Sequence, residues 1–166
     1  MAFDTFLDLG EAIKGESTAK WFEGKIEIFS FSWGASNPTT IGSGTTGISG
    51  GKVSVSSFNV MKKTDKASAL LFQHCCDGEH IPKVVVTMRK AGGTAGQQIF
   101  LTYTFETVMV ESVQWSGSSG GDDSPTESVS LAFGKCKIEY FMQDKTGKMS
   151  TAGQGMWDLT TVSSKA

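Results

Sequence analysis

Three segments of this 166-residue chain alternate apolar and polar residues as a β-strand does, and each changes phase partway. In residues 25–33, Ile26 and Ile28 share one face, while Phe29, Phe31 and Trp33 take the other. Residues 52–61 pass from Val53 and Val55 to Phe58 and Val60. Residues 127–140 pass from Val129, Leu131 and Phe133 to Cys136, Ile138 and Tyr140, with Gly134 at the changeover. Strand side chains repeat every two residues, so one extra residue sends every later side chain to the opposite face, which is what a β-bulge does. Long, bent and bulged strands curl a sheet into a barrel or turn a sandwich corner. The expected fold is mainly β: a small closed or nearly closed antiparallel β-barrel with bulged strands.

The longest run, residues 99–115, reads as strict alternation. Leu101, Tyr103, Phe105, Met109, Val113 and Trp115 lie on one side, and Phe100, Val108 and Val110 on the other. Two apolar faces on an antiparallel strand call for cover by a helix or a neighbouring subunit, or for central burial in a two-layer fold. Glycine, at 20 of 166 residues, is about 12% against a usual 7% or so, and supplies turns between the strands. Turn signals stand at 91–96, 116–125 and Asp144-Lys145-Thr146-Gly147, the last suited to a hairpin with a left-handed glycine. The expected topology is mostly up-and-down, with a further hairpin strand around residues 156–159. One segment departs from the β pattern: residues 65–76 place Ala67, Leu70, Leu71 and Cys75 at helical spacing, with Thr64 or Asp65 as N-cap and Gly78 past the end. One flanking α-helix is therefore expected, and the length fits a single domain over residues 1–166.

A formal net charge of −2 gives no basic field, so neither nucleic acid nor an anionic membrane is an expected partner. Residues 1–16 carry Asp4, Asp8, Glu11 and Glu16 and no unbroken apolar run, unlike a secretory signal peptide. No stretch approaches the roughly 20 apolar residues of a membrane-spanning helix. The expected site of synthesis and folding is the cytoplasm. Cys75, Cys76 and Cys136 are an odd set with two neighbours, a poor disulfide framework, and read as buried thiols.

Several short motifs lack the context their chemistry needs. Gly42-Ser43-Gly44-Thr45-Thr46-Gly47 matches G-x-G-x-x-G, but a β-type segment follows where the dinucleotide fingerprint needs a helix. Residues 36–51, rich in Gly, Ser and Thr, read instead as a long hairpin loop, of a length that often interacts with something. His74, Cys75, Cys76 and His80 make an awkward zinc set, because adjacent cysteines diverge and no second cluster exists. With two histidines near one helix no nucleophile–base–orienter triad is readable, and Asp122 and Asp123 sit in a Gly/Ser loop that favours solvation. No catalytic, cofactor or metal residue is expected.

The chain as a whole resembles the Hcp family, the tube-forming haemolysin-coregulated proteins of bacterial type VI secretion. The matching pieces are Met1-Ala2-Phe3-Asp4-Thr5-Phe6-Leu7, Ile13-Lys14-Gly15-Glu16-Ser17-Thr18, Ile26-Glu27-Ile28-Phe29-Ser30-Phe31-Ser32-Trp33-Gly34, Asp65-Lys66-Ala67-Ser68, Glu127-Ser128-Val129-Ser130-Leu131 and Ile138-Glu139-Tyr140, in order along the chain. Gly10-Glu11-Ala12 departs from the simpler Asp-Gly step common there. The resemblance implies a β-barrel with one helix on its flank, hexameric rings stacked into a hollow tube, and a contractile sheath, a spike protein and lumenal effector proteins as partners. It implies export through the type VI apparatus without a signal peptide. It also implies that the loop after the Ser-Phe-Ser-Trp-Gly strand reaches the neighbouring ring; here the expected stacking residues are Ser36, Thr39, Thr40, Ile41, Thr45, Ile48 and Lys52. Two other classes stay open: a barrel holding a small apolar ligand, which the many Phe and Trp residues would fill instead, and a toxin or enzyme on the same scaffold, which needs an added C-terminal domain.

Overall fold

The computed structural model describes residues 3–40, 49–90, 98–121 and 123–164. Along them lie β1 (Phe3–Asp8), β2 (Ile26–Ile28), β3 (Ser30–Ser32), β4 (Ala35–Ser36), β5 (Thr39–Thr40), β6 (Ser49–Gly50), β7 (Ser54–Val55) and β8 (Phe58–Lys63). The helix α1 (Ser68–Asp77), β9 (Ile81–Lys90), β10 (Gln98–Ser116), β11 (Thr126–Gln143) and β12 (Met149–Asp158) complete the order. One sheet runs β2-β1-β9-β10-β11-β8-β3, with β12 also on β11. From β9 to β12 it is the expected up-and-down meander. Elsewhere the topology departs from that expectation, because β1 lies beside β9 and β8 beside β11.

The first phase change closes this sheet. β2 and β3 follow each other in the chain yet occupy its two ends, so the turn at Phe29 carries the chain from one edge to the other. The Phe29 N–H donates to the Met61 carbonyl at 3.1 Å. Ile26 and Ile28 are buried before the turn, Phe31 and Trp33 pack on the core after it, and Phe29 is exposed. The result is the expected nearly closed antiparallel barrel, joined by chain continuity rather than by a ladder. The second change separates β7, paired with β4, from β8 in the barrel.

At the third change, Phe133 and Cys136 flank Gly134 and both join the core cluster. Thr107 lies across from it on β10 with φ 53°, a left-handed conformation that costs a non-glycine residue about 1–2 kcal/mol. Glu106 faces Lys135 and Val108 faces Phe133, so register is the same on both sides and the two strands kink together. This corrects the strict alternation expected over residues 99–115. Phe105 and Val108 are both fully buried while Glu106 and Thr107 between them are exposed, and the register with β11 shifts only beyond them, between Val110 and Ser112. Part of the apparent second apolar face is thus the inner face after a phase change. The remaining member, Phe100, packs edge-on against Phe3 at 5.9 Å, and the helix reaches β10 where the Phe72 and Trp115 rings lie 5.8 Å apart.

Aromatic rings fill the barrel. Phe105 lies 4.6 Å from Phe133, and Trp33 lies 5.1 Å from both Tyr103 and Phe105 between ring centroids. Such edge-to-face and tilted pairs add about 0.5–1.5 kcal/mol each to the area they bury. They occupy the space an internal ligand would need. The helix starts later than expected, with Ala67 as N-cap. Asp65 still holds its start, accepting from the Ala67 N–H at 2.9 Å and donating its own N–H to Ser68 Oγ at 3.0 Å. Gly78, at φ 68°, closes the far end by donating to the His74 carbonyl at 3.0 Å. Ala67 and Leu71 are buried as expected, but Leu70 is exposed and His74 takes a buried place. No described helix is long and apolar enough to cross a membrane.

Candidate functional site

The segment expected to carry the stacking residues is a two-stranded arm. Beyond Trp33, Ala35 faces Val55 and Ser36 faces Ser54; further out Thr39 faces Gly50 and Thr40 faces Ser49. Its root is clamped on the barrel by Ser56, whose N–H and Oγ both donate to the Gly34 carbonyl at 2.9 and 3.1 Å, while its Oγ accepts from the Gly34 N–H at 3.0 Å. Midway, the Gly51 N–H donates to the Pro38 carbonyl at 2.7 Å, and a Cβ on Gly51 would stand 2.6 Å from that oxygen. The two chains approach too closely there for any other residue. Ser36, Thr39 and Lys52 are exposed on the arm. Thr40 lies in β5, and Ile41, Thr45 and Ile48 fall outside the described residues, as do Gly42 to Gly47 and the expected turn at 91–96.

Beneath the opposite end of β8 lies a charged group that the sequence did not single out. Lys62 and Glu127 are register partners on β8 and β11, and both are fully buried. The three N–H groups of the Lys62 ammonium are shared among four acceptors: Glu127 Oε1, Asp65 Oδ1 at 2.9 Å, the Lys63 carbonyl at 2.9 Å and, farthest, Ser68 Oγ at 3.2 Å. Glu127 also accepts from Ser68 Oγ at 2.9 Å and Thr64 Oγ1 at 3.3 Å. Two charges taken out of water each cost several kcal/mol, and only such a complete set of partners offsets that. A lysine between two carboxylates has the makings of an acid–base pair; Lys62 and Glu127 have no exposed surface, and Asp65 alone of the three lines the cleft beside β2. The cluster pins β8, β11 and the start of α1 together. The two motifs Asp65-Lys66-Ala67-Ser68 and Glu127-Ser128 meet here, although 59 positions separate Ser68 from Glu127.

The second half of β11 differs from the first. With β12 it forms a hairpin whose turn is held by Asp144, which accepts from the Thr146 N–H at 2.7 Å, Thr146 Oγ1 at 2.6 Å and the Lys148 N–H at 3.0 Å. These bonds, the Thr146 hydroxyl first, keep the Asp144 carboxyl below its usual range. Gly147 has φ 87°, as the turn chemistry predicts. The expected strand around residues 156–159 is the end of β12. Ile138, Tyr140 and Met142 are exposed here.

The cysteines correct the expectation of buried thiols in one case. Cys136 is buried, donates to the Trp157 carbonyl at 3.6 Å, and is pushed up in pKa by burial; Cys75 is half-buried; Cys76 is exposed. Among the described residues no three His, Cys, Asp or Glu side chains are grouped to hold a metal ion.

Comparison with known proteins places these features. The profile of the family described as "Type VI secretion system effector, Hcp" matches residues 6–140. Protein hcp1 of Pseudomonas aeruginosa is 37% identical over 147 residues, covering 89% of this chain and 88% of that protein. A solved structure described as that of a type six secretion system protein superposes with a TM-score of 0.90 at 36% identity, over 99% of this chain and 100% of its own. Hcp1 from Salmonella typhimurium superposes with a TM-score of 0.74 at 32% identity, over 99% and 100% of the two chains.

Proposed function

The chain belongs to the Hcp family of type VI secretion systems, and from that membership we propose that it is the structural subunit of the secreted tube. Copies form hexameric rings, the rings stack into a hollow tube inside a contractile sheath behind a spike protein, and effector proteins travel in the lumen. The protein is made in the cytoplasm and leaves with the machine. The observation that carries this reading is similarity along the whole fold, with the family profile spanning residues 6–140. The aromatic-filled barrel supports a mechanical role over that of a small-ligand carrier. The exposed arm supports a contact made at a distance from the barrel, and Ser36, Thr39, Thr40, Ile41, Thr45, Ile48 and Lys52 are its proposed stacking residues.

Electron microscopy of the purified protein tests the reading. Six-fold rings with a central hole are expected, and monomers alone across a wide concentration range would contradict it. Deleting residues 40–50 is expected to leave rings intact while shortening or abolishing stacks. Tubes of unchanged length would remove the arm from the stacking contact.

A further inference from the structure

Arg89 is the only arginine in the chain, and its guanidinium is fixed on every side but one. The residue is 5% exposed, on the face of β9 opposite the core residue Met88. The Phe6 and Phe22 rings stack at 4.4 Å, and the guanidinium carbon lies 4.7 and 5.1 Å from their centroids. Nε donates to Asp4 Oδ2 at 3.3 Å and Nη1 to the Lys20 carbonyl at 3.2 Å. Nη2 has no hydrogen-bond partner among the described residues, yet it is not one of the enclosed orphan groups, which are Trp33 Nε1, His74 Nδ1 and Gln98 Oε1. The free edge of the fork therefore meets solvent. Such a planar, pre-set donor matches a carboxylate in a way that a flexible lysine does not.

Arg89 lines a cleft of about 510 Å³ together with Phe3, Asp4, Phe6, Glu27 and Phe29. It lies outside the filled barrel, and its size and its mix of aromatic walls with a few polar groups are those of a small-molecule site. Arg89 faces Asp4 across one ladder and Phe6 faces Glu27 across the next. Arg89 and Glu27 thus share one face of the sheet, about 10 Å apart across two ladders, with the Phe6 ring between them. Glu27 is exposed and has no ion pair among the described residues, while Arg89 pairs with Asp4 alone. Asp4 is 54% exposed, so water screens its repulsion of a second carboxylate on the guanidinium. Two opposite charges in one cleft that do not reach each other leave a gap for a ligand that carries both signs. Phe3 and Phe29, 50% and 59% exposed, supply apolar surface beside that gap.

We propose that this cleft binds a free α-amino acid, as its zwitterion, with an aromatic or other large apolar side chain. The ligand carboxylate accepts from Arg89 Nη2, its ammonium donates to Glu27, and its side chain lies against Phe29 and Phe3. A carboxylate without the amine is attracted by Arg89 and repelled by Glu27; an amine without the carboxylate meets the reverse. A peptide carries its two charged termini on different residues, so only one of them reaches the gap. The site needs neither a ring nor a tube, and it stands or falls apart from that reading.

Saturation-transfer difference NMR on the full-length protein observes the ligand, and so reads binding to monomers and assemblies alike. The probes are L-phenylalanine, L-phenylalaninamide, which lacks the carboxylate, and N-acetyl-L-phenylalanine, which lacks the ammonium. Phenylalanine is expected to saturate with a midpoint on the order of 1 mM, as suits a small ligand in an open cleft, and each analogue to bind about tenfold more weakly or worse. Glu27→Gln, at an exposed position, is expected to weaken phenylalanine about tenfold while N-acetyl-phenylalanine binds as before or tighter, an opposite response that a general loss of structure does not produce. Arg89→Lys, which keeps the charge and loses the fork, is expected to weaken both acids; where its thermal melt falls below the wild type, Glu27→Gln alone decides. Transfer that rises without saturating, equal midpoints for the three probes, or a Glu27→Gln protein that weakens phenylalanine and N-acetyl-phenylalanine equally would overturn the site.

Discussion

The two halves of β11 are one strand put to two uses. Over residues 126–131 it pairs with β8, buries Val129 and Leu131 in the barrel, and places Glu127 in the charge cluster with Lys62. Over residues 135–143 it pairs with β12 and leaves Ile138, Tyr140 and Met142 in the open. The kink at Gly134 and Thr107 divides them. The first half holds its cover within the chain, so changes there act on folding. The second half leaves apolar surface exposed, so on the proposed tube reading changes there are expected to act on assembly.

The largest effect is expected from breaking the charge cluster. Lys62→Met leaves Glu127 and Asp65 facing each other without a cation, and removing one partner of a buried pair costs about 3–5 kcal/mol; denaturant midpoints of the two proteins measure it. Next, the same kind of truncation on the two halves should separate them. Leu131→Ala empties a core site, at about 2–5 kcal/mol, while Ile138→Ala is expected to shift monomer stability by about 0.5 kcal/mol or less and to weaken assembly instead. Equal losses of monomer stability would erase the distinction. The smallest effect concerns Asp158 at the end of β12, whose carboxyl falls from 3.8 to about 2, chiefly through the Thr160 hydroxyl and then the Thr161 N–H. A depressed pKa stabilises the fold above the unfolded value and loses that contribution as pH falls from about 4 toward 2. Asp158→Asn is therefore expected to flatten the acid side of the stability profile over that window, read from melts between pH 2 and pH 5.

The phase changes at Phe29 and Gly134 were legible because one side of each is polar, so a flip leaves a mark in the pattern. The matching flip at Thr107 was not. Apolar residues stand on both faces of β10, and the left-handed residue is a threonine rather than a glycine, so nothing in the sequence records it. The helix was placed by Ala67, Leu71 and Gly78, but the choice of His74 over Leu70 for burial depends on where β10 lies, which spacing cannot specify. Nothing in the sequence sets Lys62 apart from other strand lysines; its burial follows from its register partner, Glu127. Of the proposed stacking residues, Ser36, Thr39 and Thr40 lie on the paired strands that the Gly/Ser/Thr-rich composition suggested as a hairpin. The exposed strip at Ile138 and Tyr140 was visible as apolar alternation, while its lack of cover came only from the glycines opposite in β12.

Hydrogen exchange on assembled wild-type protein and on Tyr140→Asp, whose added charge on an exposed position is expected to leave it monomeric, tests the division most directly. Residues 126–131 are predicted to be equally protected in both, and residues 135–143 and 149–158 protected in the assembly and exchanging faster in the monomer. The same protection of all three segments in both states, or a loss spread evenly along β11, would contradict it.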